Sequence, residues 1–163
     1  MNKSNSNNQS QTQKEKEYRQ LTDNARNAVV FIQKVLTGKK TKENFNILLP
    51  NWVKQKVKLA VGFEINSHKI SKNGIIHAKK GHGIGGTKVT PQSPALTDAD
   101  FELFPYILQN PDYIEKGTIN KGKQSIRYVR LLPDGKIVYV ESEAHNSNED
   151  FVTKTAWKEK STG

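Results

Sequence analysis

The chain has 163 residues, 34% of them hydrophobic, no cysteine and a formal net charge of +10. That length suits one domain with a modest core plus a tail, and the missing cysteines exclude disulfides, thiolate nucleophiles and cysteine-ligated zinc. The N-terminus is polar, without an apolar signal region, and no run approaches a membrane span, which points to a soluble protein of a reducing cytoplasm or one delivered there within a larger polypeptide.

The charge is unevenly spread. Residues 1–60 carry 12 basic and 4 acidic groups, residues 61–96 carry 5 and 1, and residues 97–163 carry 9 and 11. A basic front half favours a polyanionic partner, because each neutralised phosphate releases counterions. A merely solvated lysine-rich surface fits the same counts.

Residues 1–20 read as a disordered polar tail, since residues 2–13 (NKSNSNNQSQTQ) hold no apolar side chain with which to offset the entropy of ordering. From Leu21 to Leu36 the apolar positions Leu21, Ala25, Ala28, Val29, Ile32, Val35 and Leu36 have helical spacing, with Gly38 placed to stop the helix. This accessory helix and the lysine-rich GKKTKEN loop span 21–44, ahead of a folded domain over 45–160. A second helix is expected over 51–60, opened near Pro50 and closed by Gly62, with Trp52 a packing residue rather than a nucleobase platform. Phe63–Ile70 reads as extended, followed by a turn at Asn73-Gly74.

Residues 75–86, IIHAKKGHGIGG, concentrate two of the four histidines around Lys79 and Lys80. Imidazole serves as acid or base near neutral pH, so His77 and His82 beside fixed positive charge suit chemistry on a phosphodiester. A short helix over Ile75–Lys80 is expected to break at Gly81. On an unbroken helix the two imidazoles, five residues apart, sit about 140° apart. The glycines leave backbone amides open to a phosphate, although the spacing fits neither a Walker loop nor a dinucleotide fingerprint. His68 and His145 read as surface residues.

Thr97-Asp98-Ala99-Asp100 marks a helix start, and Pro105 divides or kinks the helix that follows. Asn110-Pro111-Asp112 is a turn. Two strands, Ser125–Leu132 and Lys136–Glu141, flank the Leu132–Gly135 (LPDG) hairpin turn, and a last strand covers Phe151–Lys158. Helices first and strands afterwards give an α+β fold, with N-terminal helices packed on a twisted antiparallel sheet.

The pattern I-x-H-x-x-K-x-H, followed by LTDADFELFPYILQNPDYI, SIRYVRLLPDGKIVYVE and VTKTAW, resembles a phage-associated group of endoribonucleases. That group belongs to the superfamily of barnase, EndoU, the tRNA-cleaving colicins and RelE. The resemblance covers roughly residues 45–160 and implies a barnase/RelE-like domain that cleaves RNA, tRNA included, on the sheet or beside it. It further implies a toxin or mobile-element effector, with an immunity or antitoxin protein as partner. The family's catalytic set is a histidine after the first helices, a basic residue on a central strand and a hydroxyl on the last strand. Those roles fall here on His77, Arg127 and Thr155, with His82 and Lys80 matching as well.

Metal-independent RNA cleavage needs a base for the 2′-hydroxyl proton, an acid for the leaving 5′-oxygen and donors for the phosphorane-like transition state. His77 and His82 are the acid–base candidates, and Arg127 is the phosphate clamp. Lys79 and Lys80 add phosphate contacts. Strand alternation groups Arg127 with Ser125 and Val129 on one face and Ile126, Tyr128 and Arg130 on the other. The same rule groups Thr153, Thr155 and Trp157, so the two threonines face the RNA while Trp157 or Tyr128 stacks on a base. No cofactor is called for, and the two histidines lack the i, i+4 spacing of a helical metal pair. Each role has a structural rival: Arg127 pairing with Glu141 or Glu143, threonines present for strand propensity, lysines merely solvated. The competing functions are a non-catalytic nucleic-acid-binding module and a phage structural or interaction component.

Overall fold

The computed structural model describes residues 2–65, 67–145 and 150–161. Along the chain these form α1 (Asn2–Leu36), β1 (Asn44–Ile47), α2 (Asn51–Val61), β2 (Ser67–Ser71), α3 (Lys72–His82), α4 (Asp98–Glu102) and α5 (Phe104–Gln109), followed by β3 (Tyr113–Asn120), β4 (Lys123–Leu131), β5 (Lys136–His145) and β6 (Asp150–Lys160). The six strands make one sheet in the order β1-β2-β6-β5-β4-β3. The fold is α+β, as expected.

The sheet is mixed rather than antiparallel. Ser67, His68 and Lys69 of β2 pair in parallel with Asp150, Phe151 and Val152 of β6. Hairpin reasoning finds only neighbours joined by short turns, whereas parallel neighbours need a long crossover. Here that crossover runs from α3 through β5, so no local signal announced it. β1 and β3 also escaped the sequence reading.

α1 starts at Asn2, inside the segment expected to be disordered. Burial does not explain the extension, since residues 11–20 are exposed. Its cause is local. Once the packed part of a helix is nucleated, each added residue needs only one more backbone bond, and the Gln, Lys, Glu and Arg of residues 13–20 are good helix formers. Farther along, Ala28, Phe31, Ile32 and Val35 join one hydrophobic cluster with Ile75, Phe104, Ile126, Val140 and Ala156. The helix expected to be accessory is therefore part of the core. Each fully buried Ile or Phe there contributes roughly 1.5–3 kcal/mol.

Helix ends follow the sequence chemistry. Thr97 and Asp100 form a complete capping box, and Phe104-Pro105 opens α5 with proline at the first turn, so the proline divides the segment as anticipated. Gly62 closes α2 in the left-handed conformation. Asn73-Gly74, expected as a turn, instead lies in the first turn of α3, which Ser71 caps by accepting from the Gly74 amide. Gly74 is required because a Cβ there would collide with the Thr153 carbonyl of β6. That close approach lays α3 against β6. Trp52 is half exposed on α2 rather than packed.

Candidate active site on the open face of the sheet

Register assigns the sheet's two faces. Ile126, Tyr128, Val138, Val140, Ser142, Thr153 and Ala156 face the core. The open face carries two rungs that cross the strands side by side. One is Tyr113–Val129–Tyr139–Trp157, and the next is Glu115–Arg127–Glu141–Thr155. Arg127 shares its face with Ser125 and Val129, as alternation predicts.

The threonines do not share a face. The register of β5 and β6 slips between Glu141↔Thr155 and Ser142↔Thr153, leaving Lys154 as an extra residue in β6. Such a bulge flips the pattern beyond it. Thr155 stays on the open face with Trp157, while Thr153 turns into the core at 1% exposure. Thr153 therefore cannot meet RNA. Tyr128 is likewise fully buried, its hydroxyl without a partner, and burial holds its phenol far above the usual range. It has no free ring face for a base.

Arg127 is the centre of the open face. Its Nε donates to Glu141 at 3.1 Å and its Nη1 to Glu115 at 3.3 Å. Burial opposes its charge, but the two carboxylates outweigh that and raise its pKa above the ordinary value. The rival pairing with Glu141 thus exists, with Glu115 rather than Glu143 as the second partner. Glu143 pairs instead with Lys123 and with the bulged Lys154. The guanidinium carbon lies 5.5 Å from the centroid of the Trp157 ring. Trp157 also stacks on Tyr139 at 5.1 Å and 12°, and its indole nitrogen donates to Glu159. Its ring is taken up by protein contacts rather than open to a base. Burial, the charge of Glu159 and the neighbouring Tyr113 push the Tyr139 phenol up to about 12, so it stays protonated.

His82 reaches this face from α3. Gly81 does not break the helix, which continues to His82. The His82 ring lies 6.2 Å from that of Trp157, so imidazole and guanidinium touch the same indole. The His82 Nδ1 is buried without a hydrogen-bond partner. Burial first, then the charges of Lys88 and His77, lower its pKa and keep it neutral at pH 7. His77 is exposed and lines a groove of about 450 Å³ with Asn44, Asn73, Val152 and Lys154. Among the described residues no hydrogen bond or ring contact joins it to Arg127, and on the unbroken helix it points about 140° away from His82.

Backbone hydrogen bonds tie the glycine run to the end of α3. Amides of Gly83, Thr87, Lys88 and Leu96 donate to the carbonyls of Lys79, Lys80, Gly81 and His82. The loop therefore closes the C-terminus of α3, and of the glycine amides expected to be open, that of Gly83 is spent there and that of Gly86 on the Gly83 carbonyl. A Cβ at Gly86 would strike the Gly81 carbonyl, which explains that glycine. Lys79 is also occupied, its Nζ donating to the Leu36 carbonyl at 2.9 Å. Lys80 is exposed and forms no ion pair among the described residues.

The family described as phage-Barnase-EndoU-ColicinE5/D-RelE like nuclease 3 matches residues 49–162. The chain belongs to this family. No curated protein and no solved structure matches it. As a member of this nuclease family the chain has a nucleic acid as its substrate class. Among the described residues no helix is long and apolar enough to cross a membrane, and no three His, Asp or Glu side chains gather as a metal site would need.

Two further sequence expectations about this nuclease fail or fall outside the described residues. His68 is not on the surface: at 2% exposure it sits in the core, 5.2 Å from the Tyr128 ring and 6.4 Å from that of Phe151. The side chain of His145 lies outside the described residues. Sequence reasoning also missed Glu115, Tyr139 and Lys154. The first needed β3, the second needed the hairpin register, and nothing local reports a bulge. The LPDG turn does fix the β4–β5 register, so Tyr139 and Glu141 were within reach of counting outward from it.

Proposed function

We propose that the chain is a metal-independent endoribonuclease acting by transphosphorylation on the open face of the sheet. The observation that carries this reading is the placement of His82 and Arg127 against the same Trp157 ring. In the proposed reaction the neutral His82 takes the 2′-hydroxyl proton and the 2′-oxygen attacks phosphorus. The bond to the 5′-oxygen breaks with its electron pair, and that oxygen leaves with a proton from water. The products are a 2′,3′-cyclic phosphate and a 5′-hydroxyl. Arg127, oriented by Glu141, donates to the developing charge. Thr155 lies on the same rung, its hydroxyl buried and without a hydrogen-bond partner among the described residues.

The lowered pKa of His82 supports the role of base, because a base must be unprotonated at working pH. The test is incubation of the purified protein with RNA in excess chelator, with product ends analysed. Cyclic phosphate ends are expected, and His82→Ala and Arg127→Ala should each lower kcat by about 10²–10⁴-fold. Intact RNA under every condition would overturn the proposal.

A binding-only module is the second reading, favoured by the fact that Glu115 and Glu141 already match the charge of Arg127. Salt-sensitive binding without turnover would select it. A toxin or mobile-element effector role, with an inhibitor protein, belongs to the same proposal. Growth arrest on induction, relieved by a co-expressed neighbouring gene, tests it.

A further inference from the structure

The family match begins at residue 49, yet four exposed lysines without an ion pair among the described residues, Lys34, Lys39, Lys40 and Lys42, precede it, Lys42 lying over the Phe45 ring at 5.0 Å. Two bonds pin the loop after α1 along the outer side of α3. At one end Lys79 Nζ donates to the Leu36 carbonyl at 2.9 Å, and at the other the Lys72 amide donates to the Glu43 carbonyl at 2.8 Å. The first turn of the loop is itself fixed, with Gly38 at φ 72 and the Lys39 amide donating to the Lys34 carbonyl. Lys34, Lys39, Lys40, Lys42, Lys79 and Lys80 are thereby held on one side of the molecule, all exposed. Among the described residues none of the six forms an ion pair.

The sheet face behaves differently, because there Glu115, Glu141 and Glu143 match Arg127, Lys123 and Lys154. A solvated lysine surface would interleave its charges in the same way. Six like charges on a pinned loop and the neighbouring helix face repel one another and gather counterions, which a phosphate chain would release on binding. His77 stands on this same helix, beside the groove that leads to Lys154 and β6.

We infer that the loop 37–43 and the outer face of α3 form an RNA-backbone track, separate from the catalytic face, that holds phosphates beyond the scissile one. The ligand is a phosphodiester chain several nucleotides long, so the substrate is extended RNA rather than a di- or trinucleotide. The inference rests on the nuclease reading for its substrate but not on the assignment of the catalytic residues.

The experiment compares the protein with Lys39→Gln/Lys40→Gln/Lys42→Gln, which changes only exposed side chains. Cleavage of an RNA of about 25 nucleotides and of a dinucleotide is followed across salt, and binding is read by anisotropy with the same RNA carrying 2′-O-methyl groups. The triple variant should bind the long RNA about 10–100-fold more weakly and lower its kcat/KM to match. It should also lessen the slope of log affinity against log salt by about 2, on the single-strand coefficient. Dinucleotide cleavage should not change, and Lys39→Arg/Lys40→Arg/Lys42→Arg should restore binding. Lys54→Gln/Lys56→Gln on α2, which packs against β3 and β4, should have little effect.

Equal binding and equal salt slopes in the protein and the triple variant would overturn the track and leave an acidic protein as its partner. A uniform loss on long and short substrates would overturn it too. Absence of cleavage with the binding pattern intact would instead sink the catalytic reading alone.

Discussion

His68 gives the fold a calculable weakness to acid. Its imidazole is enclosed by Tyr128 and Phe151, and neither ring nitrogen has a hydrogen-bond partner among the described residues. Burial lowers its pKa from 6.5 to about 3. Above pH 6.5 it is neutral in both folded and unfolded chains and adds no pH dependence. As the pH falls below 6.5 the unfolded chain takes up a proton that the folded chain refuses, so stability is lost down to pH 3. Linkage puts that loss at about 2 kcal/mol at pH 5 and about 3 kcal/mol at pH 4. Against the 5–15 kcal/mol typical of a domain, this is a large share. The perturbation is His68→Phe, which fills the same aromatic slot without a titrating group. Urea unfolding of both proteins, followed by circular dichroism at pH 7, 6, 5 and 4, cancels the carboxylates they share. Relative to its value at pH 7, the stability difference should move in favour of the variant by about 2 kcal/mol at pH 5. Any constant offset reports packing. Parallel curves across this window would refute the reasoning and mean that His68 finds a partner or water inside the fold.

Other expected outcomes concern the site and its frame. Glu115→Gln removes the more exposed counter-charge of Arg127 and leaves Glu141 on Nε, so inorganic phosphate should inhibit the variant several-fold more tightly. Unchanged or weaker inhibition would argue against Arg127 as the phosphate anchor. Asp100→Asn keeps the shape of the capping box but strips the buried Lys158 ammonium of its counter-ion, costing about 3–5 kcal/mol by urea unfolding. Adding Lys158→Met should recover part of that loss. Gly74→Ala puts a Cβ against the Thr153 carbonyl, and the forced shift of α3 should cost about 3 kcal/mol or more and depress activity through the displaced histidines. Finally, because the pKa of His82 is lowered, the acid limb of the kcat/KM profile should fall below pH 6.5, and His82→Ala should remove that limb.

What the sequence disclosed were the features encoded within a few residues. Thr97 with Asp100, Pro105, Gly62 and the LPDG turn each act on their own turn of chain, and each is where local chemistry placed it. The side of the sheet that carries Arg127 was legible for the same reason, since alternation within β4 is unbroken. Thr153 shows where that logic stops. One extra residue, Lys154, reverses the facing of everything before it in β6, and the reason is the register against β5, which is set a strand away. His68 and Tyr128 were opaque in another way. Both are polar residues that alternate like surface residues, yet they lie on the covered side of the sheet. Their burial depends on α-helices far off in the chain. The parallel pairing of β2 with β6 is the extreme case, fixed by a crossover of most of the domain.

The division of charge between the two surfaces bears on how such a nuclease would hold its substrate. A catalytic face rich in lysine would bind any phosphate tightly, in the ground state as much as in the transition state, and uniform binding of that kind does not raise kcat. Here the open face balances its cations with Glu115, Glu141 and Glu143, leaving a guanidinium that is oriented rather than merely attractive. Affinity is assigned instead to lysines on the loop after α1 and on α3, away from the reacting bond. Binding energy gathered there would hold the chain in place while, on the proposed reading, His82 and Arg127 act on a single linkage. The two surfaces meet along α3, which carries Lys79 and Lys80 on the proposed track and His82 against Trp157 on the open face. Its seating on β6 through Gly74 therefore governs both.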